Sequence, residues 1–149
     1  MIYADHAATT KISETAKLAM LSAMEKDWYN PSSLYTPGQQ ASGTLMDARV
    51  RIAHCLGCLP KEIYFTSGGS EADNQAILSA AAIGKRQGKM HIISTAFEHH
   101  AVLHTLKKLE KEGFEITLLD VGEKGIVSPV QVEKAIRPDT ILVTVMYAN

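Results

Sequence analysis

A glycine-rich turn between an apolar run and an alanine-rich run contains the residue types of a phosphate site. The turn, TSGGSEADN at residues 66–74, follows the apolar residues 63–65. A helix that begins here presents unpaired backbone N–H groups and a partial positive charge, which together bind phosphate. Gly69 and Ser70 are the candidate ligands, through their N–H groups and the serine hydroxyl. Because the Ser-x-x-Asp spacing also fits a capping box that needs no ligand, the turn alone leaves both interpretations open.

The only two cysteines, Cys55 and Cys58, have the C-x-x-C spacing of zinc ligands or of a redox pair. A single pair without a second one is a weak signal for either kind of site. Helical periodicity offers a simpler interpretation, because Cys55 continues a row of apolar residues at steps of three or four: Ala41, Leu45, Ala48 and Ile52. We therefore expect both cysteines to be structural residues whose replacement by alanine lowers stability, and a zinc-binding module remains an alternative.

Length and composition describe an ordinary soluble globular domain with a core of its own. The chain has 149 residues, of which 46% are hydrophobic and 21% are charged, and its formal net charge is −1. These values give no sign of nucleic-acid or membrane binding. No apolar run is long enough to span a membrane and the start lacks a signal-peptide pattern, so the cytoplasm is the expected location. Neither G-x-x-x-x-G-K-S/T nor G-x-G-x-x-G occurs, so a nucleoside triphosphate or a dinucleotide is a poor candidate ligand.

Alternating helical and strand patterns predict an α/β domain with a mainly parallel sheet and right-handed crossovers. Helices are expected at residues 14–26, 36–56, 71–87, 99–112 and 129–136, and strands at residues 63–65, 91–94, 114–119 and 140–147. In such sheets, ligands bind outside the carboxyl ends of the strands. The phosphate turn, His99 and Asn149 each follow a predicted strand, so all three are expected at one edge of the sheet.

Five segments resemble, in the same order, segments of the NifS/IscS cysteine desulfurases, which use pyridoxal phosphate and belong to aminotransferase class V. The matching segments are IYADHAATT at residues 2–10, YNPSSLY at 29–35, EIYFTSGGSEADN at 62–74, EHHAV at 98–102 and TILVTVMYAN at 140–149. The resemblance covers essentially the whole chain, although the family enzymes are more than twice as long. This chain is therefore similar to their N-terminal portion.

This resemblance implies the fold-type I architecture of the large domain of pyridoxal phosphate-dependent transferases, with three layers around a mainly parallel sheet, here truncated. Residues 1–12 match an N-terminal segment that packs with the small domain, and residues 13–149 match the N-terminal part of the large domain. The family sheet has the spatial order 3-2-4-5-6-7-1, of which this chain would supply strands 1 to 4. Strand 1 would lack its neighbour and strand 4 would expose an apolar edge. We therefore expect self-association, pairing with the missing half, or rearrangement of strand 1 against strand 4.

The resemblance also implies roles for individual residues. Gly69 and Ser70 match phosphate-binding positions, the second of which is more often threonine in the family. His99 matches a histidine that stacks on the cofactor ring and moves protons; without the resemblance it would be taken for an exposed first-turn histidine. Asn30 matches a residue that lines the substrate side, but a turn asparagine is an equal alternative. Asn149 aligns with the first asparagine of the family's Asn-Asn-Glu segment, one residue before the asparagine that contacts the ring.

For the intact protein the resemblance implies a homodimeric cysteine desulfurase that uses pyridoxal phosphate. It would convert L-cysteine to L-alanine and pass the sulfur, as a protein-bound persulfide, to scaffold or acceptor proteins for iron–sulfur clusters or tRNA thiolation. The Schiff-base lysine and the catalytic cysteine of the family lie beyond Asn149, so this chain alone is expected to be inactive. A selenocysteine lyase or another class V enzyme is one alternative, and a non-catalytic, phosphate-binding α/β domain is another.

Overall fold

The computed structural model describes residues 2–149, which divide into two compact units. The first unit ends at Phe65 and is mostly helical, whereas the second begins at Thr66 and contains all the strands found in the described residues. No helix within residues 2–149 is long and apolar enough to cross a membrane.

The two helices of the first unit form where local signals predict them. The first, α1, spans Glu14–Lys26, and Ser13 caps it by accepting a hydrogen bond from the Ala16 N–H at 3.2 Å. The second, α2, spans Thr36–Leu56 and has a proline in its first turn. It ends at Gly57, whose left-handed backbone (φ 68°) lets its N–H reach the last carbonyls of the helix. The predicted bounds of both helices are confirmed.

The buried face of α2 is not the one that periodicity selected. Its buried residues are Gly38, Ala41 and Ala53, whereas Cys55 is exposed and Cys58 is half-buried. The expectation that Cys55 continues a buried row is therefore wrong, because a row is buried only where another element packs on it, and most of this row stays exposed. Within residues 2–149, no group of three or more histidine, cysteine, aspartate or glutamate side chains could hold a metal ion.

The strand that was expected at residues 63–65 is absent, which corrects that prediction. Pro60–Glu62 form a 3₁₀ turn, and the extended chain that follows has no partner strand among the described residues, so the expected rearrangement of this strand is not seen. Ile63 is buried, and its carbonyl accepts a hydrogen bond from the Arg49 guanidinium, which lies 4.8 Å from the ring centroid of Phe65. A strand requires a ladder of backbone hydrogen bonds, and here a side chain of α2 holds the segment instead.

The second unit is a small parallel sheet with helices around it. Its elements, in chain order, are α3 (Gly69–Arg86), β1 (His91–Thr95), α4 (His100–Lys111), β2 (Glu115–Leu119), α5 (Pro129–Ala135) and β3 (Thr140–Val143). β1 lies in the centre and pairs in parallel with both other strands, which gives the order β2-β1-β3. This is the 3-2-4 order that the resemblance implied for these strands. The predicted α/β fold with a parallel sheet is confirmed.

Apolar side chains from α3, α4 and β1 contribute to one core. Every residue of β1 is buried, as expected for a central strand with both faces covered. The core cluster consists of Ile77, Ala81, Ile92, Val102, Leu106, Leu109 and Phe114. Gly84 lets α3 approach β3 closely, because a Cβ atom there would lie 2.6 Å from the Lys89 carbonyl oxygen and 2.9 Å from Ile141 Cγ1. This packing holds the buried parts of α3 and α4 against the sheet.

A buried histidine at the start of β1 joins the three strands. His91 Nδ1 lies 2.7 Å from Thr140 Oγ1 on β3, and Nε2 lies 2.9 Å from Thr117 Oγ1 on β2. Burial lowers the pKa of His91, and the nearby Arg137 guanidinium lowers it further. Asp139, which pairs with Arg137 at 2.9 Å, acts on the pKa of His91 in the opposite direction.

Candidate functional site

The first turn of α3 is open at its N-terminal end. Gly68 is the cap residue and has no side chain with which to satisfy the backbone N–H groups that follow. The Glu71 carboxylate turns back to Ser67, accepting hydrogen bonds from its N–H at 2.7 Å and from its hydroxyl at 2.6 Å. These two bonds hold the pKa of Glu71 below its ordinary value. The capping-box interpretation is wrong, because Ser70 lies inside the first turn, where its side chain is exposed.

The space in front of this turn is open. A Cβ atom built at Gly68 or Gly69 would meet nothing within 4 Å. Gly68 has an extended backbone that any residue can adopt, so neither packing nor backbone strain requires a glycine at this position. Glycine there leaves the backbone N–H groups of Gly69 and Ser70 accessible to a group as large as a phosphate.

The first turn of α4 begins with the predicted histidine. His99 is the cap residue of α4, and its Nδ1 accepts a hydrogen bond from the Ala101 N–H at 3.1 Å. Because Nδ1 accepts, the proton of the neutral ring lies on Nε2, which becomes the donor of the ring. The His99 ring is exposed. The rings of the next two histidines, His100 and His104, stack on each other with centroids 5.5 Å apart and do not cover it. The His99 ring is therefore accessible to a bound group.

An open groove of about 490 Å³ is lined by residues from the first two turns of both helices, among them Ser70, Asn74, His99 and Thr105. Asn74 Nδ2 donates to the Ser70 carbonyl at 2.7 Å, and Thr105 Oγ1 lies 2.5 Å from Asn74 Oδ1. The structure thus brings the predicted phosphate turn and the predicted histidine together. The side chains that join the two turns are ones that sequence analysis did not select.

The loop between β1 and α4 also contacts the chain that follows β3. Glu98 is buried, and its Oε1 accepts hydrogen bonds from the Thr95 hydroxyl at 3.2 Å and from the Met146 N–H at 2.7 Å. Asn149 Nδ2 donates to the Phe97 carbonyl at 2.6 Å. The carboxyl ends of β1 and β3 therefore meet around Glu98, and Asn149 lies beside the loop that leads to α4.

Asn30 lies in the first unit, in the loop between α1 and α2. Its Oδ1 accepts a hydrogen bond from the Ser32 N–H at 2.9 Å, and its carbonyl accepts one from the Ser33 N–H at 3.0 Å, which is the pattern of an asparagine turn. Gly38 lets this turn pack on α2, since a Cβ atom there would lie 2.8 Å from the Asn30 carbonyl oxygen. These contacts describe a turn residue, and the substrate role of Asn30 stays a prediction.

Three residues of this region were not selected from the sequence: Asn74, Glu98 and Thr105. Two of them could have been found from their positions in the predicted helices. Asn74 follows Ser70 by four residues, the spacing at which a helical side chain can reach the earlier carbonyl, and Thr105 is a polar residue on the buried face of α4. Glu98 could not, because its contact with the chain after β3 joins residues that are far apart in the sequence.

Comparison with known proteins finds similar sequences and structures along nearly the whole chain. The sequence profile of the aminotransferase class-V family matches residues 2–149. The cysteine desulfurase IscS of Methanosarcina thermophila is 47% identical over 148 residues, which are 99% of this chain and 36% of that protein. A solved structure described as a NifS-like protein has a TM-score of 0.91 at 34% identity, covering 97% of this chain and 40% of the other. Another, described as SspA in complex with cysteine, has a TM-score of 0.86 at 38% identity, covering 95% of this chain and 40% of the other.

Proposed function

The chain belongs to the aminotransferase class-V family, and on this basis we propose that it forms the amino-terminal part of a pyridoxal phosphate-dependent cysteine desulfurase. The observation that carries the proposal is the 47% identity to an IscS cysteine desulfurase over 99% of this chain. The complete protein would remove the sulfur atom of L-cysteine, release L-alanine and hold the sulfur as a persulfide on a protein thiolate. Because the chain spans 36% of that relative, we assign the thiolate and the Schiff-base lysine to another part of the complete protein.

The residues around the groove between α3 and α4 suit pyridoxal phosphate. A phosphate dianion fits the open N-terminus of α3, where Gly69 and Ser70 offer backbone N–H groups and the helix dipole favours negative charge. The exposed Ser70 hydroxyl adds a further donor. His99, at the cap of α4, would lie against the pyridine ring, and Asn149, one residue before the position that contacts the ring in the family, would lie on the cofactor side of the chain after β3.

His99 has the properties of a residue that holds and moves a proton. Bound pyridoxal phosphate supplies the electron sink that allows the bond between carbon and sulfur of the substrate to break. The neutral ring holds its proton on Nε2, because Nδ1 accepts from the Ala101 N–H at 3.1 Å, and it can take up a second proton only when Nδ1 releases that bond. The same capping bond restricts rotation of the imidazole, so the ring is oriented by α4 before any ligand binds.

The remaining assignments concern the substrate and the complete protein. Asn30 is assigned to the substrate side, where its Nδ2 can donate to a carboxylate while its Oδ1 accepts from the Ser32 N–H. We assign residues 1–12 to a segment that packs with the small domain, and residues 13–149 to the large domain. The complete protein would be a cytoplasmic homodimer that passes its sulfur to scaffold or acceptor proteins.

A binding titration on this chain tests the phosphate assignment. We expect Ser70→Ala to weaken pyridoxal phosphate binding by about 10- to 100-fold, since a hydrogen bond to a charged group contributes about 1.5–3 kcal/mol. Ser79→Ala is the matched control, because Ser79 is exposed on the same helix, more than two turns away, and should bind as the wild type does. Equal affinity in Ser70→Ala and the wild type would exclude Ser70 as a phosphate ligand.

Two further measurements test the reaction and the location of the lysine. The complete protein should release L-alanine from L-cysteine, and release from L-selenocysteine alone would assign a selenocysteine lyase instead. Borohydride reduction of this chain with pyridoxal phosphate should leave no stoichiometric adduct, because none of its lysines matches the Schiff-base position of the family. A stoichiometric adduct on one lysine within residues 1–149 would show that the lysine was assigned to the wrong part of the protein.

A further inference from the structure

We propose that Asn74 and Thr105 are positioning residues that hold the phosphate-binding turn of α3 at a defined distance from the histidine-bearing turn of α4. This inference rests on the proposed binding of pyridoxal phosphate at the groove between those turns. It concerns two side chains that bind neither the phosphate nor the ring. We call the pair the Asn74–Thr105 bridge.

Every polar side-chain atom of the bridge contacts a neighbour. Asn74 Nδ2 donates to the Ser70 carbonyl at 2.7 Å and lies 3.4 Å from the Ala101 carbonyl. Thr105 Oγ1 has one hydrogen to donate, and two acceptors lie within its reach, Asn74 Oδ1 at 2.5 Å and the Ala101 carbonyl at 2.8 Å. Thr105 is buried and Asn74 is half-buried, so these bonds lie at the α3–α4 contact, partly shielded from water.

The bridge links two residues whose backbone N–H groups act at the proposed site. Ser70 carries the proposed phosphate-binding N–H and hydroxyl, and its carbonyl is held by Asn74. Ala101 holds the His99 ring through its N–H, and its carbonyl faces Thr105 and Asn74. A shift of either first turn would therefore change the separation between the phosphate donors and the imidazole.

Apolar packing does not determine this separation by itself. Burial of α3 begins at Ile77, about two turns beyond the start of the helix at Gly69, and the buried residues of α3 lie on the C-terminal side of Asn74. Apolar contacts are also non-directional, so they leave small rotations of a helix end free. The directional hydrogen bonds of the bridge act between the buried core and the open first turn, where such rotations would be largest.

A two-ligand titration separates positioning from general stabilisation. Pyridoxal phosphate has to reach both first turns, whereas inorganic phosphate needs the α3 turn alone. In the complete protein freed of cofactor, we expect Asn74→Ala and Thr105→Val each to weaken pyridoxal phosphate binding by about tenfold and to leave inorganic phosphate binding unchanged. Thr105→Ser, which keeps the hydroxyl, should bind as the wild type does, and so should Gln75→Ala, the neighbouring exposed residue of α3.

Three results would overturn the bridge. The first is unchanged pyridoxal phosphate affinity in both Asn74→Ala and Thr105→Val. The second is an equal loss for both ligands, which would assign the pair to the stability of α3. The third is loss of the folded state in these variants, judged by far-ultraviolet circular dichroism, which would make the pair a folding requirement.

Amide hydrogen exchange separates failure of the bridge from failure of the proposed function. If the wild type binds neither ligand, the proposed function fails, but the ligand-free proteins can still be compared. We expect faster exchange at residues 68–75 and 99–105 in Asn74→Ala and Thr105→Val, with the core of the unit unchanged. Exchange at wild-type rates in these segments would contradict the bridge whatever the ligand results are.

Discussion

The two units differ in how much of each helix is buried. In the first unit, α1 has no buried residue, and α2 buries only three small residues, Gly38, Ala41 and Ala53. In the second unit, all five residues of β1 are buried, and α4 buries four residues on one face. The helices of both units nevertheless lie close to where the sequence predicts them. Caps and breakers can therefore determine where a helix begins and ends without determining which of its faces is covered.

A single tryptophan allows the two units to be followed separately. Trp28, the only tryptophan of the chain, belongs to the first unit and stacks on Tyr29 with ring centroids 4.0 Å apart. Its fluorescence therefore reports on the first unit, while far-ultraviolet circular dichroism reports on the helices and strands of both. Urea unfolding recorded with both probes shows which unit a substitution affects.

Truncation of a leucine should have the largest effect, and only in the second unit. Leu109 on α4 is 2% exposed, and Leu109→Ala should lower the free energy of unfolding by about 2–5 kcal/mol, because it leaves a cavity in the core. Leu18 on α1 is 58% exposed, and Leu18→Ala should change the free energy of unfolding by no more than about 0.5 kcal/mol. Equal losses for the two variants in urea unfolding would mean that α1 is packed as tightly as α4.

Replacing two helical glycines by alanine should change the free energy of unfolding in opposite directions. At Gly84 the new Cβ would lie 2.6 Å from a backbone oxygen, so Gly84→Ala should destabilise by about 1–3 kcal/mol. At Gly43 in α2 nothing lies within 4 Å of the new atom, so Gly43→Ala should stabilise by about 0.5–1 kcal/mol. Thermal unfolding of both variants measures the contrast, and a stabilised Gly84→Ala would contradict the close approach of α3 and β3.

The stability of the second unit should depend on pH through His91. Its pKa is lowered in the folded state by burial, so below about pH 6.5 the unfolded chain binds a proton that the folded chain does not bind. Stability should therefore fall as the pH decreases from about 6.5 toward the lowered pKa of the folded state. His91→Gln should reduce this slope in urea unfolding at a series of pH values, and an unchanged slope would assign the dependence to other groups.

Replacement of the cysteines should have the smallest effect. Cys55 is exposed and Cys58 half-buried, so Cys55→Ala and Cys58→Ala should each change the free energy of unfolding by no more than about 0.5 kcal/mol. This replaces the larger loss that the periodicity of α2 predicted. A loss near 2 kcal/mol at Cys55 would show that this side of α2 is covered in solution.

Much of the fold followed from local patterns, and the errors have a common cause. The parallel α/β class and the bounds of α1 and α2 were predicted from local signals, namely strand–helix alternation and capping residues, whereas the order of the three strands was predicted only from the family resemblance. The strand at residues 63–65 was wrong, because its apolar residues have no neighbouring strand in the described chain. The burial of Cys55 was wrong for a similar reason, since a periodic row carries no information about what packs against it.

The candidate site was predicted in part. Ser70 was selected from its position at a helix start and His99 from the family resemblance, and both line the same groove. The expected reason was that each segment follows a strand of one sheet. In the structure α3 also contacts α4 directly, where Thr105 Oγ1 lies 2.5 Å from Asn74 Oδ1. The roles of Ser70, His99, Asn149 and Asn30 toward a cofactor and a substrate stay predictions.

The sequence by itself determined where α1 and α5 begin, because the responsible hydrogen bonds join residues a few positions apart. Ser13 caps α1 in this way, and Ser128 caps α5 through a bond from the Val130 N–H at 3.2 Å. Tertiary structure alone decided which faces are buried and which distant groups meet. Glu98 accepts from the Met146 N–H across 48 positions because parallel strands end at the same edge, and that meeting depends on the packing of the whole unit.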